Sequence, residues 1–159
     1  MKKKLTKTIF SCSSREVRFS SEVLKELSTF EQNGKQPESG GILLGKVYTH
    51  YDEILEITTP GQLDKHGSFF FYRAKKSAQK VINKKWKQSK GELIYLGEWH
   101  THCEKNPTPS LEDKKMIKNM LTTTKMEINY LYLVIVGQDN TYFSARQVTT
   151  GFIVLEQLI

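Results

Sequence analysis

Only two of the 159 residues are cysteine, Cys12 and Cys103. Two thiols imply no disulfide framework, and both are expected free in a reducing cytosol. No C-x-x-C pair occurs either, which excludes a cytidine-deaminase type of zinc site. Long hydrophobic runs are missing too. The longest, "YLYLVIV" at 130–136, falls well short of the roughly 18 residues that a membrane span needs and reads as a buried strand. The opening "MKKKLTKTIFSC" resembles a lipoprotein leader, but Lys7 interrupts it, and no apolar stretch of about 7–15 residues precedes Cys12. An export signal is therefore not expected, and a cytoplasmic location is. Acidic side chains are the scarcer sign, 17 against 24 basic, giving a net charge of +7. Much of the excess lies in 1–7 and in "RAKKSAQKVINKKWKQSK" at 73–90. The ordinary reading of the latter is the solvated face of a helix, although such charge also suits nucleic acid or an acidic protein. No helix-turn-helix, zinc-finger or aromatic RNA-binding pattern accompanies it, so nucleic acid is not expected as a partner.

What is present suits a globular chain. The hydrophobic fraction is 38% and the aromatic fraction 11%, and a chain of this length buries about 68–70% of its unfolded surface on folding. We expect a single domain over 1–159, since no repeat, low-complexity tract or linker divides it. "SSEVLKELSTFEQ" at 20–32 places Val23, Leu24, Leu27 and Phe30 on one helical face behind a serine cap. After the loop "NGKQPESGG", "GILLGKVY" (41–48) and "EILEITT" (53–59) read as paired strands. "SFFFYR" (68–73) then leads into a basic helix whose buried stripe is Ala74, Ala78, Val81, Ile82 and Trp86. A strand is expected at 92–102, a helix at 110–122, a hairpin at 128–148 turning at Gln138–Asn140, and a last strand at 151–158. Strands interleaved with helices around a mainly buried sheet give an α/β class.

The stretch "GEWHTHCEKNPTPSLEDKKM" at 97–116 carries the chemistry. On a strand, residues two apart share a face, so His100 and His102 project together. Pro107 and Pro109 stiffen the return loop. Ser110 then opens a helix, and Asp113, one turn in, can aim its carboxylate back at the histidines. Two neutral imidazoles, one carboxylate and an open fourth position is how catalytic zinc is usually held. Taken alone, Ser-x-x-Asp is an ordinary capping box, whose carboxylate serves backbone amides, and His-x-His on a strand is weak evidence. Their conjunction at fixed offsets is what carries weight. Such a centre needs a carboxylate that does not bind the metal and can move a proton. Glu98 shares the strand face of His100, and Glu38 sits in "PESGGILLG", where glycines allow a close backbone approach. Spacing leaves the two open.

"HTHCEKNPTPSLED" resembles the His-x-His-x7-Ser-x-x-Asp signature of the JAB/MPN-domain (JAMM) zinc metalloproteases, and "ESGGILLG" is similar to the segment carrying their catalytic glutamate. The resemblance spans about residues 36 to 147. It implies the JAB/MPN fold, a curved mixed β-sheet flanked by helices. It also implies one zinc ion per chain on His100, His102 and Asp113, with Ser110 stabilising the tetrahedral intermediate and Glu38, rather than Glu98, as general base and acid. One departure is Cys103, which stands where the family commonly has proline. As a strand neighbour of His102 it is expected to point away from the metal. "YLGEWHTH" with "PTPSLED" looks closest to the small bacterial branch associated with CBASS antiphage operons, whose members remove a conjugated cyclic-oligonucleotide synthase from other proteins.

The expected activity is hydrolysis of a peptide or isopeptide bond at the C-terminal tail of a cyclase or ubiquitin-like protein. The partner is thus a protein substrate and not a membrane. Two alternatives keep the fold. One is a JAMM peptidase that processes a sulfur-carrier or another bacterial ubiquitin-like protein, and the other is a non-catalytic MPN scaffold. The scaffold is disfavoured by the complete ligand set. The target's identity, the residues around its scissile bond and the oligomeric state are not encoded in any motif.

Overall fold

The computed structural model describes residues 7–12, 15–34, 36–67, 70–124, 126, 128–147 and 151–158. Its frame is a nine-stranded mixed sheet with three helices. The strands are β1 (Lys7–Cys12), β2 (Arg15–Ser20), β3 (Gly40–Val47), β4 (Tyr51–Ile57), β7 (Ile94–Thr101), β8 (Tyr130–Val136), β9 (Thr141–Gln147), β10 (Gly151–Val154) and β11 (Glu156–Leu158). A separate two-stranded ribbon pairs β5 (Lys65–Gly67) with β6 (Phe70–Tyr72). The helices are α1 (Ser21–Ser28), α2 (Lys75–Gln88) and α3 (Leu111–Thr123). Across the large sheet the order is β10-β9-β8-β7-β3-β4-β2-β1-β11. The first and last strands in this order are consecutive in sequence and joined only by Leu155, so the sheet must curl until its two edges meet. The expected curved, mixed α/β architecture is the one observed.

Period-two alternation sorts the side chains between the two faces. On β8, Tyr132, Val134 and Val136 join Val17, Phe19 and Ile54 in a core beneath Val23 and Leu27 of α1. Leu131, Leu133 and Ile135 face the other way, into a core with Ala78 of α2 and Ile117 and Leu121 of α3. α1 therefore covers one face, and α2 with α3 the other. The Ser20 hydroxyl caps α1 by accepting the Val23 N–H at 3.2 Å, as its position before an apolar stripe implies.

Among the described residues two bulges interrupt the alternation, one on β4 at Leu55 and one on β7, and the second serves the site. Leu43 pairs with Gly97 but Leu44 pairs with Tyr95, so Leu96 is an extra residue on β7. Such a bulge shifts the phase of every later side chain. Leu96 and Trp99 belong to the α1 core, whereas Tyr95 belongs to the core under α2 and α3. Beyond the bulge, Glu98 turns back to Tyr95, whose hydroxyl donates to it at 2.7 Å. Gly97 permits this because a Cβ there would lie 2.0 Å from the Tyr132 carbonyl oxygen.

Several expectations need correction. Ala74 does not belong to the buried stripe of the helix but precedes it as the N-cap residue. Its N–H donates to Asp64 Oδ1 at 2.6 Å. Trp86, expected in the same stripe, is 55% exposed. The indole lies instead against Gly91, where a Cβ would be 3.5 Å away. The single strand expected at 151–158 is two, split at buried Leu155 where the chain passes from one sheet edge to the other. β1 and β2 were not anticipated, although Val17 and Phe19 alternate with Arg18 and Ser20. Of the segments read as strands, positions 68–69 and 148 lie outside the described residues. Among the described residues no helix is long and apolar enough to cross a membrane.

Candidate metal centre

β7 ends at Thr101, and His100 and His102 flank that end. The backbone holds both. Gly40 of β3 pairs with His100, and the His102 N–H donates to the Val136 carbonyl at 3.0 Å. The chain then bends through 103–106 and returns over Pro107, which packs on Gly137 so tightly that a Cβ there would lie 2.3 Å from the proline ring. This return delivers Ser110 as N-cap of α3.

Ser-x-x-Asp is a capping box in full. The Asp113 N–H donates to Ser110 Oγ at 3.1 Å, and the Ser110 N–H donates to Asp113 Oδ2 at 2.8 Å. Yet the same carboxylate faces the histidines: His100 Nε2 lies 3.1 Å from Oδ1 and His102 Nε2 lies 3.2 Å from Oδ2. The two Nε2 atoms are 3.1 Å apart. Capping and ligation are thus compatible, because the cap is what aims the carboxylate. Among the described residues, His100, His102 and Asp113 form the group of ligand atoms gathered within 4.8 Å. Four tetrahedral ligands about 2.0–2.1 Å from zinc stand about 3.3 Å from one another. Each histidine stands at about that spacing from the other histidine and from one of the two Asp113 oxygens, and two imidazoles with a carboxylate are a donor set zinc accepts.

The electrostatics follow from this crowding. Burial alone would raise the Asp113 carboxyl, but hydrogen bonds from His100 and His102, with the Ser110 N–H, hold it well below the usual carboxylate range. For His102 burial opposes the charge, yet its bond to Asp113 and the nearby Glu38 and Glu104 raise it overall. Glu104, two residues on, comes within 3.5 Å of His102 Nδ1. A carboxylate on that side favours the tautomer with Nδ1 protonated, which frees Nε2 for a metal.

The two glutamates left open by spacing are both buried and both line the same cleft, about 770 Å³ in volume, between α2 and α3. Glu98 is fully engaged. Arg73 Nε donates to its two oxygens at 2.8 and 2.9 Å, Nη2 reaches it at 2.7 Å, and Tyr95 adds its hydroxyl. Glu38 has no hydrogen-bond partner among the described residues. Burial, partly offset by His102 and reinforced by Asp113 and Glu104, pushes its carboxyl up to about 7. Gly41, the second residue of β3, tolerates no side chain, because a Cβ would lie 2.2 Å from the Thr58 carbonyl oxygen.

Ser110 lines the cleft beside the ligands. Its oxygen accepts the Asp113 N–H, so its hydroxyl proton remains free to donate elsewhere. Cys103 does not follow the expected strand geometry, because β7 has already ended. It lines the cleft, but its sulfur contacts the Gly34 carbonyl at 3.6 Å and Gln138 Nε2 at 3.5 Å. Sequence reasoning missed Arg73, Tyr95 and Glu104. Only Glu104 left a trace, a carboxylate two residues after a histidine.

The sequence family described as prokaryotic homologues of the JAB domain matches residues 20–149. A protein of Pseudomonas aeruginosa named "CD-NTase/cGAS isopeptidase" is 34% identical over 120 residues, covering 73% of this chain and 75% of that one. Its namesake in Escherichia coli is 33% identical over 128 residues, 79% of each chain. Another in Vibrio cholerae is 28% identical over 125 residues. The solution structure of protein DSY2949 from Desulfitobacterium hafniense superposes with a TM-score of 0.60 at 16% identity, covering 86% of this chain and 87% of that one. That last likeness concerns the fold alone.

Proposed function

The chain belongs to the prokaryotic homologues of the JAB domain, and from that premise we propose that it is a zinc-dependent isopeptidase. Its relatives are named for an isopeptidase acting on a CD-NTase/cGAS, and the proposed substrate is such a cyclic-oligonucleotide synthase joined through its C-terminal tail to another protein. The setting is bacterial antiphage defence. The observation that carries the reading is the convergence of His100 Nε2 and His102 Nε2, 3.1 Å apart, on the two Asp113 oxygens at 3.1 and 3.2 Å, in the cleft that Glu38 also lines.

In this reading His100, His102 and Asp113 hold zinc, which supplies a Lewis acid that polarises the scissile carbonyl and acidifies the attacking water. Glu38 is the general base. A carboxyl poised at about 7 can take a proton from that water and later give it to the leaving amine. Ser110 donates its hydroxyl proton to the oxygen that becomes negative, a preorganised donor of the oxyanion-hole kind. Glu104 holds the His102 ring in its ligating tautomer. The cleft between α2 and α3 accepts an extended tail and excludes a compact domain. No acyl-enzyme forms, so Cys103 takes no part.

The test joins a cognate cyclase, through its C-terminal residue, to a lysine of a reporter and follows release by intact mass. Cleavage at the junction that stops with a zinc chelator and with Glu38→Gln supports the proposal. Equal cutting of unrelated flexible tails would instead make the protein a general peptidase.

A further inference from the structure

The two metal-end histidines flank Thr101, which is fully buried on the opposite face of the strand. Its surroundings are polar and connected. The Thr101 N–H donates to the Ser39 carbonyl at 2.9 Å, and the Ser39 N–H donates to Thr101 Oγ1, also at 2.9 Å. The Thr101 hydroxyl in turn donates to Gln32 Oε1 at 3.1 Å, and Gln32 Nε2 donates to the Gln36 carbonyl at 2.8 Å. Gln32 is 1% exposed although it sits in an irregular segment. Its own carbonyl accepts from Gln138 Nε2 at 3.0 Å.

The last bridge between β3 and β7 pairs Gly40 with His100, so Ser39 stands opposite Thr101. A regular antiparallel hydrogen-bonded pair exchanges two backbone bonds. Here one of the two is replaced: Ser39 finds a side-chain hydroxyl instead of a carbonyl. The chain leaves the ladder at that point, and the next residue back is Glu38. Its neighbours on both sides are fixed, Ser39 by Thr101 and Gln36 by Gln32.

We propose that Thr101 and Gln32 are positioning residues that turn the chain out of the sheet at Ser39 and so hold Glu38 against the metal end of the cleft. The hydroxyl does what no apolar side chain can at this position, since it accepts from one segment and donates to another. The catalytic consequence rests on the reading of Glu38 as the acid–base group, whereas the clamp itself does not. Misplacing a reacting group by about 1 Å costs on the order of 10²-fold in rate.

The experiment uses the full-length, zinc-loaded chain with Thr101→Val, which keeps shape and removes the hydroxyl, alongside Thr101→Ser and Gln32→Met. Zinc content, kcat and KM on the cyclase conjugate, and amide hydrogen exchange are measured for each. The expected result for Thr101→Val is full zinc content, kcat lower by about 10²-fold with KM within a few-fold, and Ser39 exchange faster by at least about tenfold. Amides of β8 should keep their protection, and Thr101→Ser should restore both readouts. If Thr101→Val does not fold, Gln32→Met decides by the same measurements on the Gln36–Ser39 segment. Unchanged Ser39 protection would overturn the clamp whatever the turnover, and a freed Ser39 with unchanged kcat would overturn its role in positioning. Should the wild-type chain release no conjugate, the acid–base reading falls, and hydrogen exchange alone decides the clamp.

Discussion

The central strands carry a buried carboxylate at each end, and the two are wired in opposite ways. At the β3–β4 turn, Asp52 is completely buried and accepts four bonds. They come from Arg15 Nε at 3.1 Å and Nη2 at 2.5 Å, and from the hydroxyls of Tyr130 and Tyr132 at 2.7 Å each. Arg15 also donates to the carbonyls of Tyr48, Thr49 and Tyr51, which pins the turn. Every charge there has a protein partner. At the other end, two Nε2 atoms and a carboxylate crowd one point, and Glu38, which lines the same cleft, has no hydrogen-bond partner among the described residues. The Asp52 end is built to hold the sheet, and the Asp113 end is built to hold something else.

The largest expected effect comes from emptying the second end. Asp113→Ala removes a ligand and half of a capping box together. Zinc per chain, read by mass spectrometry after dialysis, should fall from one to near zero, and conjugate cleavage should drop to background. Loss of the cap adds about 1 kcal/mol of destabilisation, visible in a thermal melt. Undiminished zinc would reduce Asp113 to a helix cap and make the two ends alike.

Next comes the unpaired glutamate. Glu38→Gln should keep its zinc and lose about 10²–10⁴-fold in kcat, the usual contribution of a placed acid–base group. The pH profile gives the sign. A base works deprotonated, so kcat is expected to fall as pH drops through the Glu38 value. Burial sets that value at about 7 without a cation, and a nearby positive charge lowers it. The acid limb should therefore lie below about pH 7 and disappear in the Gln variant. Zinc content measured at each pH separates this limb from loss of metal through protonated histidines.

Much of this difference between the ends was legible in the sequence, and the reasons for what was not are physical. His100, His102 and Asp113 are local in the chain, and their spacing maps directly onto strand and helix periods, so their meeting could be anticipated. Glu38 and Glu98 could not be ranked from spacing. What separates them is Arg73, which reaches Glu98 across 25 residues, a tertiary contact with no local signature. The bulge at Leu96 was hidden for the same reason, because it exists only relative to β3. Trp86 misled because helical periodicity says which residues share a face but not that the indole would pack on Gly91, beyond the helix's own end. The Asp52 cluster gathers Arg15 from β2 and Tyr130 and Tyr132 from β8, and no motif announces it.

The Asp52 end should respond in stability and not in chemistry. Asp52→Asn removes the charge opposite the Arg15 guanidinium and leaves one accepting oxygen, in place of two, for Arg15 and the two tyrosine hydroxyls. Breaking a buried pair costs about 3–5 kcal/mol, and because Arg15 is 27% exposed the lower end, about 3 kcal/mol, is expected. Denaturant unfolding would measure it. Zinc content and kcat per folded molecule should stay at wild-type values. A loss of turnover without loss of stability would mean that the two ends are coupled through the strands between them.

Glu98 sharpens the comparison most finely, because it lines the same cleft as His100, His102 and Asp113 but is wired like Asp52. Two nitrogens of Arg73 and the Tyr95 hydroxyl occupy its oxygens. Burial raises its carboxyl, and Arg73 offsets part of that rise. A carboxylate so engaged would have to break charge-assisted bonds before it could receive a proton from water. Glu98→Gln retains one carbonyl acceptor for Arg73, so about 1–3 kcal/mol of stability should be lost, with zinc unchanged and kcat within a few-fold of wild type. The measurement pairs an unfolding curve with single-turnover kinetics on the zinc-loaded variant. A folded, zinc-loaded Glu98→Gln that cannot turn over, together with a Glu38→Gln that still does, would transfer the general-base role from Glu38 to Glu98.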